Sequence, residues 1–146
     1  MDPPEIIFIP NLSYLNKPGV SDGKTGLVLT VGDLAIFKQD YLNSGLAVNL
    51  AKEGLALFVL IGSNSEEAHD ALDYELEQNN LLGVITTWHD DDTPDEIVTC
   101  FNATAISNGL AQIFVVQDRS TKFTENLVSE IRTSCIRSGL KSETWG

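Results

Sequence analysis

Two histidine–aspartate pairs are the residues of this chain best suited to chemistry. The 146-residue sequence has two histidines, and each is followed by an aspartate, as His69-Asp70 and His89-Asp90. Imidazole and carboxylate together can perform general acid–base catalysis, and the same groups bind zinc, manganese or iron. Asp73 lies four residues after His69, so a helix would place both side chains on one face. The candidate catalytic residues are therefore His69, Asp70, His89 and Asp90, and the candidate metal ligands are His69, Asp73, His89 and Asp90.

These residues also have a structural explanation, which the sequence favours. None of the strong metal-binding spacings is present: there is no His-x-x-x-His pair and no cysteine cluster. Residues 90–95 lack the glycine and the terminal glutamate of a calcium loop. Carboxylates also gather at helix N-termini, where the helix dipole favours negative charge. We therefore predict a solvated acidic surface, with no cofactor and no resident metal.

The strongest compositional feature is a long acidic segment without any cation. Residues 53–118 contain no lysine or arginine but carry thirteen of the twenty-one carboxylates, and eleven of these lie between Glu66 and Glu96. The net charge is −12. A folded domain cannot bury so many carboxylates, so one side of it must be strongly negative. Nucleic acid and the anionic face of a membrane would be repelled, and a basic protein is the expected partner.

This charge pattern predicts an acidic binding or inhibitor protein that neutralises a basic partner, as an immunity protein neutralises a bacterial toxin domain. Complementary charge speeds the association of such pairs. Interface hot spots also need desolvated aromatic anchors, for which Tyr74 and Trp88 are the candidates. The predicted partner-binding residues are Asp70, Asp73, Tyr74, Trp88, Asp90, Asp91, Asp92 and Asp95. The alternative is a small enzyme or metal-binding protein that uses a His-Asp cluster.

The elements that would position these residues alternate along the chain. Apolar runs at 6–9, 27–31, 55–61, 83–88 and 112–117 predict strands, and amphipathic patterns at 41–53, 64–78, 93–107 and 121–138 predict helices. Strands that alternate with helices of this length indicate parallel crossovers. We therefore predict one α/β domain over residues 1–146, a three-layer sandwich with a mainly parallel central sheet and helices on both faces.

Within this fold, the uninterrupted apolar run at 55–61 predicts a central strand covered on both faces. His89 ends a strand and His69 begins a helix, so both would lie near the carboxyl edge of the sheet and could be neighbours. Thr93, Pro94 and Glu96 give the clearest helix start, a capped N-terminus with proline at its first position. Asn64 with Glu67 predicts a second capping box. The run at 34–37 leaves open a hairpin with 27–31 or a strand followed by a turn, and residues 10–26 form one long irregular segment.

Cellular location follows from the cysteines and the N-terminus. Cys100 and Cys135 lie on apolar helix stripes, so we predict reduced thiols rather than a disulfide. No signal peptide is recognisable in the acidic N-terminal sequence. The sequence thus predicts a soluble cytoplasmic protein, and it sets no oligomeric state.

Nucleotide binding is not predicted. The loop that begins at Gly62 has one glycine and is followed by Glu66 and Glu67, whose charges would repel a phosphate from the helix N-terminus. Gly23-Lys24-Thr25 imitates the end of a P-loop but lacks the upstream glycine at the required spacing.

The segment Thr86-Thr87-Trp88-His89-Asp90, preceded by His69, Asp70 and Asp73, resembles a motif of an uncharacterised family of small bacterial proteins. The resemblance covers roughly the stretch from the strand at 55–61 to the helix that starts at Thr93. It implies membership of a family to which no activity is assigned, so it transfers neither a substrate nor a residue role.

Overall fold

A single parallel sheet organises the molecule. The computed structural model describes residues 3–16 and 24–144. Its strands are β1 (Glu5–Ile9), β2 (Thr25–Thr30), β3 (Leu57–Ile61), β4 (Ile85–His89), β5 (Gln112–Val116) and β6 (Ser142–Thr144). They lie in the order β4-β3-β2-β5-β1-β6, and every neighbouring pair is parallel. The predicted α/β class and parallel sheet are confirmed.

Helices cover both faces of this sheet. They are α1 (Leu34–Phe37), α2 (Leu46–Lys52), α3 (Ser65–Gln78), α4 (Pro94–Ser107) and α5 (Lys122–Arg137). A π-helical segment, Lys38–Asn43, joins α1 to the turn before α2, and a 3-10 turn spans Leu12–Asn16. The strands are buried beneath α1, α2 and α3 on one face and beneath α4 and α5 on the other. This arrangement is the predicted three-layer sandwich.

The strand side chains alternate between two apolar cores. In β3, Phe58 and Leu60 pack with α3, whereas Val59 and Ile61 pack with α4 and α5. All five β3 residues are buried, because a strand covered on both faces has no solvated side. Each large apolar side chain buried in this way contributes about 1.5–3 kcal/mol to folding. β3 is internal as predicted, although β2 and β5 occupy the middle of the sheet.

The region after β2 was the weakest part of the sequence prediction. Residues 34–37 form the helix α1, neither half of a hairpin nor a further strand. The cause is Asp33, whose Oδ1 accepts a hydrogen bond from the Ile36 N–H at 3.1 Å and so caps the helix. The predicted helix at 41–53 is interrupted at Gly45, which has a positive φ of 79° and starts α2 afresh. Gly54 ends α2 as predicted.

The remaining local predictions have mixed outcomes. The Thr93–Glu96 capping box is present, with both of its hydrogen bonds. Asn64 does not cap α3 with its side chain; its Nδ2 instead donates to the Gly32 carbonyl oxygen at 2.6 Å. Within the irregular segment predicted at 10–26, residues 17–23 lie outside the described residues, as does Gly23 of the P-loop imitation. The short strand β6 was not predicted.

Both cysteines are free thiols, as predicted; Cys135 is buried and Cys100 is half-buried. Burial raises the pKa of the Cys135 thiol to about 11. Over the described residues, none of the helices has the length and apolar character needed to cross a membrane.

Candidate functional site

Strand β4 separates the two histidine–aspartate pairs. Thr86 pairs with Phe58, which packs toward α3, and His89 pairs with Ile61, which packs toward α4 and α5. Successive side chains of a strand point to opposite faces. His69 lies on α3 and contacts Thr86, while His89 lies on the opposite face of the sheet. The hypothesis that the two histidine–aspartate pairs form one cluster is therefore wrong.

His69 lies in a hydrogen-bonded clasp between α3 and β4. The Thr86 hydroxyl donates to Asp73 Oδ1 at 2.6 Å. The hydroxyl oxygen of Thr86 also lies 3.0 Å from His69 Nε2. A hydroxyl has one proton to donate, so Thr86 must accept from His69, which places a proton on Nε2. On its other side, His69 Nδ1 lies 3.3 Å from Asp70 Oδ1. The arrangement fixes the ring and joins the helix to the strand.

His89 is held in a second, separate pair. The residue is 6% exposed, with Nδ1 2.6 Å from Asp92 Oδ2 and Nε2 3.3 Å from the Thr87 hydroxyl. The partner of His89 is thus Asp92, and the adjacent Asp90 is exposed and makes neither a hydrogen bond nor an ion pair with the ring. Both ring nitrogens have partners, so the geometry suits a buried anchor for the loop after β4.

Neither half supplies a metal site. Within residues 3–16 and 24–144, no group of three or more histidine, cysteine, aspartate or glutamate side chains is arranged to hold a metal ion. Of the four ligands considered from the sequence, His69 and Asp73 lie together on one face of the sheet, whereas His89 and Asp90 lie elsewhere. The hypothesis of a metal site with ligands from both histidine–aspartate pairs is therefore wrong as well.

The predicted partner-binding residues lie on α3, on β4, in the loop that follows β4 and in the first turn of α4, and they are not equivalent. We keep the name β4 acidic surface for six of them, Asp70, Asp73, Tyr74, Trp88, Asp90 and Asp91, which are exposed or half-exposed; Asp92 and Asp95 are exposed too but are left out because of the contacts described below. Tyr74 is 57% exposed and Trp88 37% exposed, and the Trp88 ring lies 6.5 Å from that of His69. The surface thus has aromatic area beside its carboxylates.

Asp92 and Asp95, like Asp73, have structural partners within the fold. Asp92 holds the buried His89. Asp95 accepts hydrogen bonds of 2.5 Å from Ser134 and from Arg137, both on α5. The hydrogen bond from Ser134, followed by that from Arg137, lowers the pKa of Asp95. Its charge is matched within the fold, so it adds little to the negative field.

Strand β4 is also an edge of the described sheet, where its single neighbour is β3. The Ile85 N–H bonds to Ala56, and the His89 carbonyl accepts from Gly62, both toward the sheet. In a parallel strand the intervening residues direct their backbone groups the other way. Thr86 and Trp88 therefore present peptide groups outward, between the carboxylates of α3 and those of the loop after β4.

A further feature was missed from the sequence, an open cavity of about 840 Å³ at the carboxyl ends of β1, β2 and β5. Here the strand order reverses: the connection after β2 covers one face of the sheet and the connection after β5 covers the other. Open α/β sheets bind ligands at such a switch point. The available signal was a polar residue soon after each strand, namely Asn11, Asp33 and Asp118.

Comparison with known proteins places the chain in a family. The family described as a domain of unknown function, DUF7684, matches residues 20–136. The chain belongs to this family, which confirms the resemblance to an uncharacterised family. The matched residues run from just before β2 to the end of α5, so they include the β4 acidic surface and most of the cavity. No curated protein and no solved structure matches the chain.

Proposed function

We propose that this member of the family is an acidic binding or inhibitor protein that docks on a basic protein partner through the β4 acidic surface. A bacterial toxin domain is the kind of partner in mind, with the protein acting as its immunity protein. The observation that carries the proposal is the position of the cation-free acidic segment, whose carboxylates flank an exposed sheet edge.

The geometry favours binding over catalysis at this location. Both histidines have their ring nitrogens engaged by residues of the fold, and the two pairs lie on opposite faces of the sheet. The carboxylates of Asp70, Asp90 and Asp91 are exposed. Exposed charge steers a partner during diffusion, and a complementary potential raises the association rate by orders of magnitude.

The edge strand adds a means of attachment. A partner that brings an extended segment could add a strand beside β4 and use the outward peptide groups of Thr86 and Trp88. Tyr74 and Trp88 would then supply the apolar contacts that charge alone lacks. Two free cysteines fit the reducing cytoplasm, where we place the protein in this proposal.

The decisive experiment reverses charge at Asp90 and Asp91, which have no structural partner among the described residues. Asp92 is unsuitable because its loss would leave the buried His89 Nδ1 without its partner. A matched control reverses Glu125 and Glu130 on α5, which changes the net charge equally at a distance from β4. The partner is first captured from the native lysate by the wild-type protein, identified, and purified.

We expect the Asp90→Lys and Asp91→Lys double variant to lower the association rate roughly tenfold at physiological salt, where the Debye length is about 8 Å. The control should lower it by less than about twofold, since exposed charges beyond a Debye length are screened. Urea unfolding should place both variants within about 1 kcal/mol of the wild type. Partner binding that ignores both salt and the reversal at β4 would refute the proposal.

A further inference from the structure

The cavity at the switch point has the size and location of a small-molecule site. Its volume of about 840 Å³ falls within the range of about 300–1,000 Å³ that is typical of ligand pockets. It lies at the carboxyl ends of β2 and β5, away from the β4 acidic surface, and it has no part in the proposed function. Its chemistry can be read from the residues that line it.

The charged residues of the lining are mainly acidic. Asp33, Asp40 and Asp118 line the cavity, against Arg119 as the one cation among the described lining residues. The Arg119 guanidinium lies 3.3 Å from the Gln117 side-chain oxygen, which turns it toward a neutral partner within the fold. A phosphate or carboxylate ligand would therefore meet a net repulsive field, and a cation an attractive one.

Two of these carboxylates are held in place by hydrogen bonds from backbone and side-chain donors around them. Asp118 accepts hydrogen bonds from the Thr30 hydroxyl at 3.2 Å and from the Ser120 N–H at 2.8 Å, so it bridges the ends of β2 and β5. Asp33 caps α1 through Ile36. Because these charged groups are already oriented, a ligand can bind to them without the entropy cost of ordering their side chains.

The third carboxylate, Asp40, lies on the π-helical segment Lys38–Asn43, which forms one wall. π-Helical turns are rare and frequently occur at functional sites. Asp40 is exposed, and the Ser44 hydroxyl bonds to its backbone oxygen, not to its carboxylate. The Asp40 side chain can therefore turn toward a ligand.

The same wall is apolar and aromatic. The rings of Phe37 and Tyr41 lie 5.1 Å apart, and Ile36, also in the lining, is 57% exposed. Burial, and then the charges of Asp40 and Asp118, raise the pKa of Tyr41 to about 12, so its phenol stays neutral. Aromatic and aliphatic side chains beside carboxylates suit a ligand with a ring at one end and a positive charge at the other.

We propose that the cavity at the ends of β2 and β5 binds a small organic cation, a primary amine that carries an aromatic or apolar ring. The ammonium group contacts Asp40 and Asp118, and the ring packs against Ile36, Phe37 and Tyr41. The site is independent of the partner surface at β4.

Three probes of equal ring and different charge test this chemistry: tyramine, 4-ethylphenol and 4-hydroxyphenylacetate. Each is titrated into the full ¹⁵N-labelled chain while amide chemical shifts are followed. We expect tyramine to bind most tightly and the acid least, with shifts centred on the Gly32 and Ser120 amides at the rim. Equal affinity for the acid and the amine, or tyramine shifts confined to the residues around β4, would overturn the proposal.

Two variants make the assignment specific. Asp40→Asn should weaken tyramine binding about fivefold and leave 4-ethylphenol unchanged, because one nearby exposed charge is lost. Asp91→Asn, the matched control on the β4 acidic surface, should leave both affinities unchanged. Ile36→Lys, at an exposed position, should weaken tyramine about tenfold by placing a competing ammonium in the cavity. A tyramine affinity that Asp40→Asn and Ile36→Lys both leave unaltered would overturn the site.

Discussion

Replacement of Gly62 by alanine tests the backbone packing that brings three strand ends together. Gly62 follows β3 with a φ of +125°, and an added Cβ would collide with the Val31 carbonyl oxygen. Its N–H donates to His89 at 3.0 Å, and the Val31 N–H donates to Ile61 at 2.7 Å. The added methyl group thus meets backbone that is already bonded to its neighbours.

The expected cost has two parts. A non-glycine residue in this backbone region carries strain of about 1–3 kcal/mol. Relief of the contact must move either the end of β2 or the end of β3, which weakens a buried hydrogen bond worth about 1 kcal/mol. Together these give a loss of about 2–4 kcal/mol in the free energy of unfolding. For a chain of this length the midpoint of thermal unfolding should fall by about 10 °C.

Urea unfolding followed by circular dichroism measures the loss, with two alanine controls. Gly109 also has a positive φ, +67°, but nothing lies within 4 Å of its added Cβ, so its replacement should cost about 1–2 kcal/mol. Gly83 has open space and no positive φ, and its replacement should change stability by less than about 0.5 kcal/mol. If Gly62→Ala were no more destabilising than Gly109→Ala, the inferred collision with Val31 would be refuted.

Three further changes test the polar contacts. Thr86→Val removes the hydroxyl that bonds to both partners on α3 and should cost about 1–3 kcal/mol in urea unfolding; a cost near zero would show that the clasp does not stabilise the fold. The pKa of Asp95 is lowered by its partners on α5, so its stabilising effect is present above the ordinary carboxyl pKa and disappears as pH falls through the lower folded value. The difference in stability between wild type and Asp95→Asn should therefore shrink in acid. A difference that stays constant with pH would contradict this. Burial raises the pKa of Tyr41 to about 12, so the fold should lose stability as pH rises from about 10, where an unfolded tyrosine ionises, to about 12. Thermal unfolding measured against pH should show that Tyr41→Phe removes this loss.

The parts of the fold that were predictable are those that depend on neighbouring residues. The start of α4 is set within four residues by Thr93, Pro94 and Glu96, whose mutual hydrogen bonds need no other part of the chain. The buried run that contains β3 is similar, because a strand covered on both faces must be apolar throughout. Local chemistry was sufficient at these places.

The sequence predictions were wrong where a residue far away in the chain determines the local structure. Asn64 has the right type and spacing for a cap, yet the carbonyl of Gly32, thirty-two residues earlier, takes its side chain. The two histidines were placed together because both lie toward one edge of the sheet. The face that each occupies depends on the register of β4 with β3, and Thr86-Thr87-Trp88-His89 has no apolar alternation from which to read it. The cavity depends on the adjacency of β2 and β5, whose paired residues Thr25 and Gln112 are 87 positions apart in the chain.

The protein thus has two acidic regions, and salt alone cannot distinguish their roles, since it weakens the attraction of any cation to either. The distance between the two regions can distinguish these roles. β4 lies two and a half strand spacings from the point between β2 and β5, or about 12 Å at the usual distance between neighbouring strands. This exceeds the Debye length of about 8 Å at physiological salt, so each region should respond to its own substitutions only. In a protein that carries both Asp40→Asn and the Asp90 and Asp91 reversals, the losses of amine affinity and of partner association should therefore be those of the separate variants, within about 0.5 kcal/mol each. Coupling beyond that limit, measured by titration and by association kinetics on the same preparation, would mean that one continuous acidic surface serves both ligands.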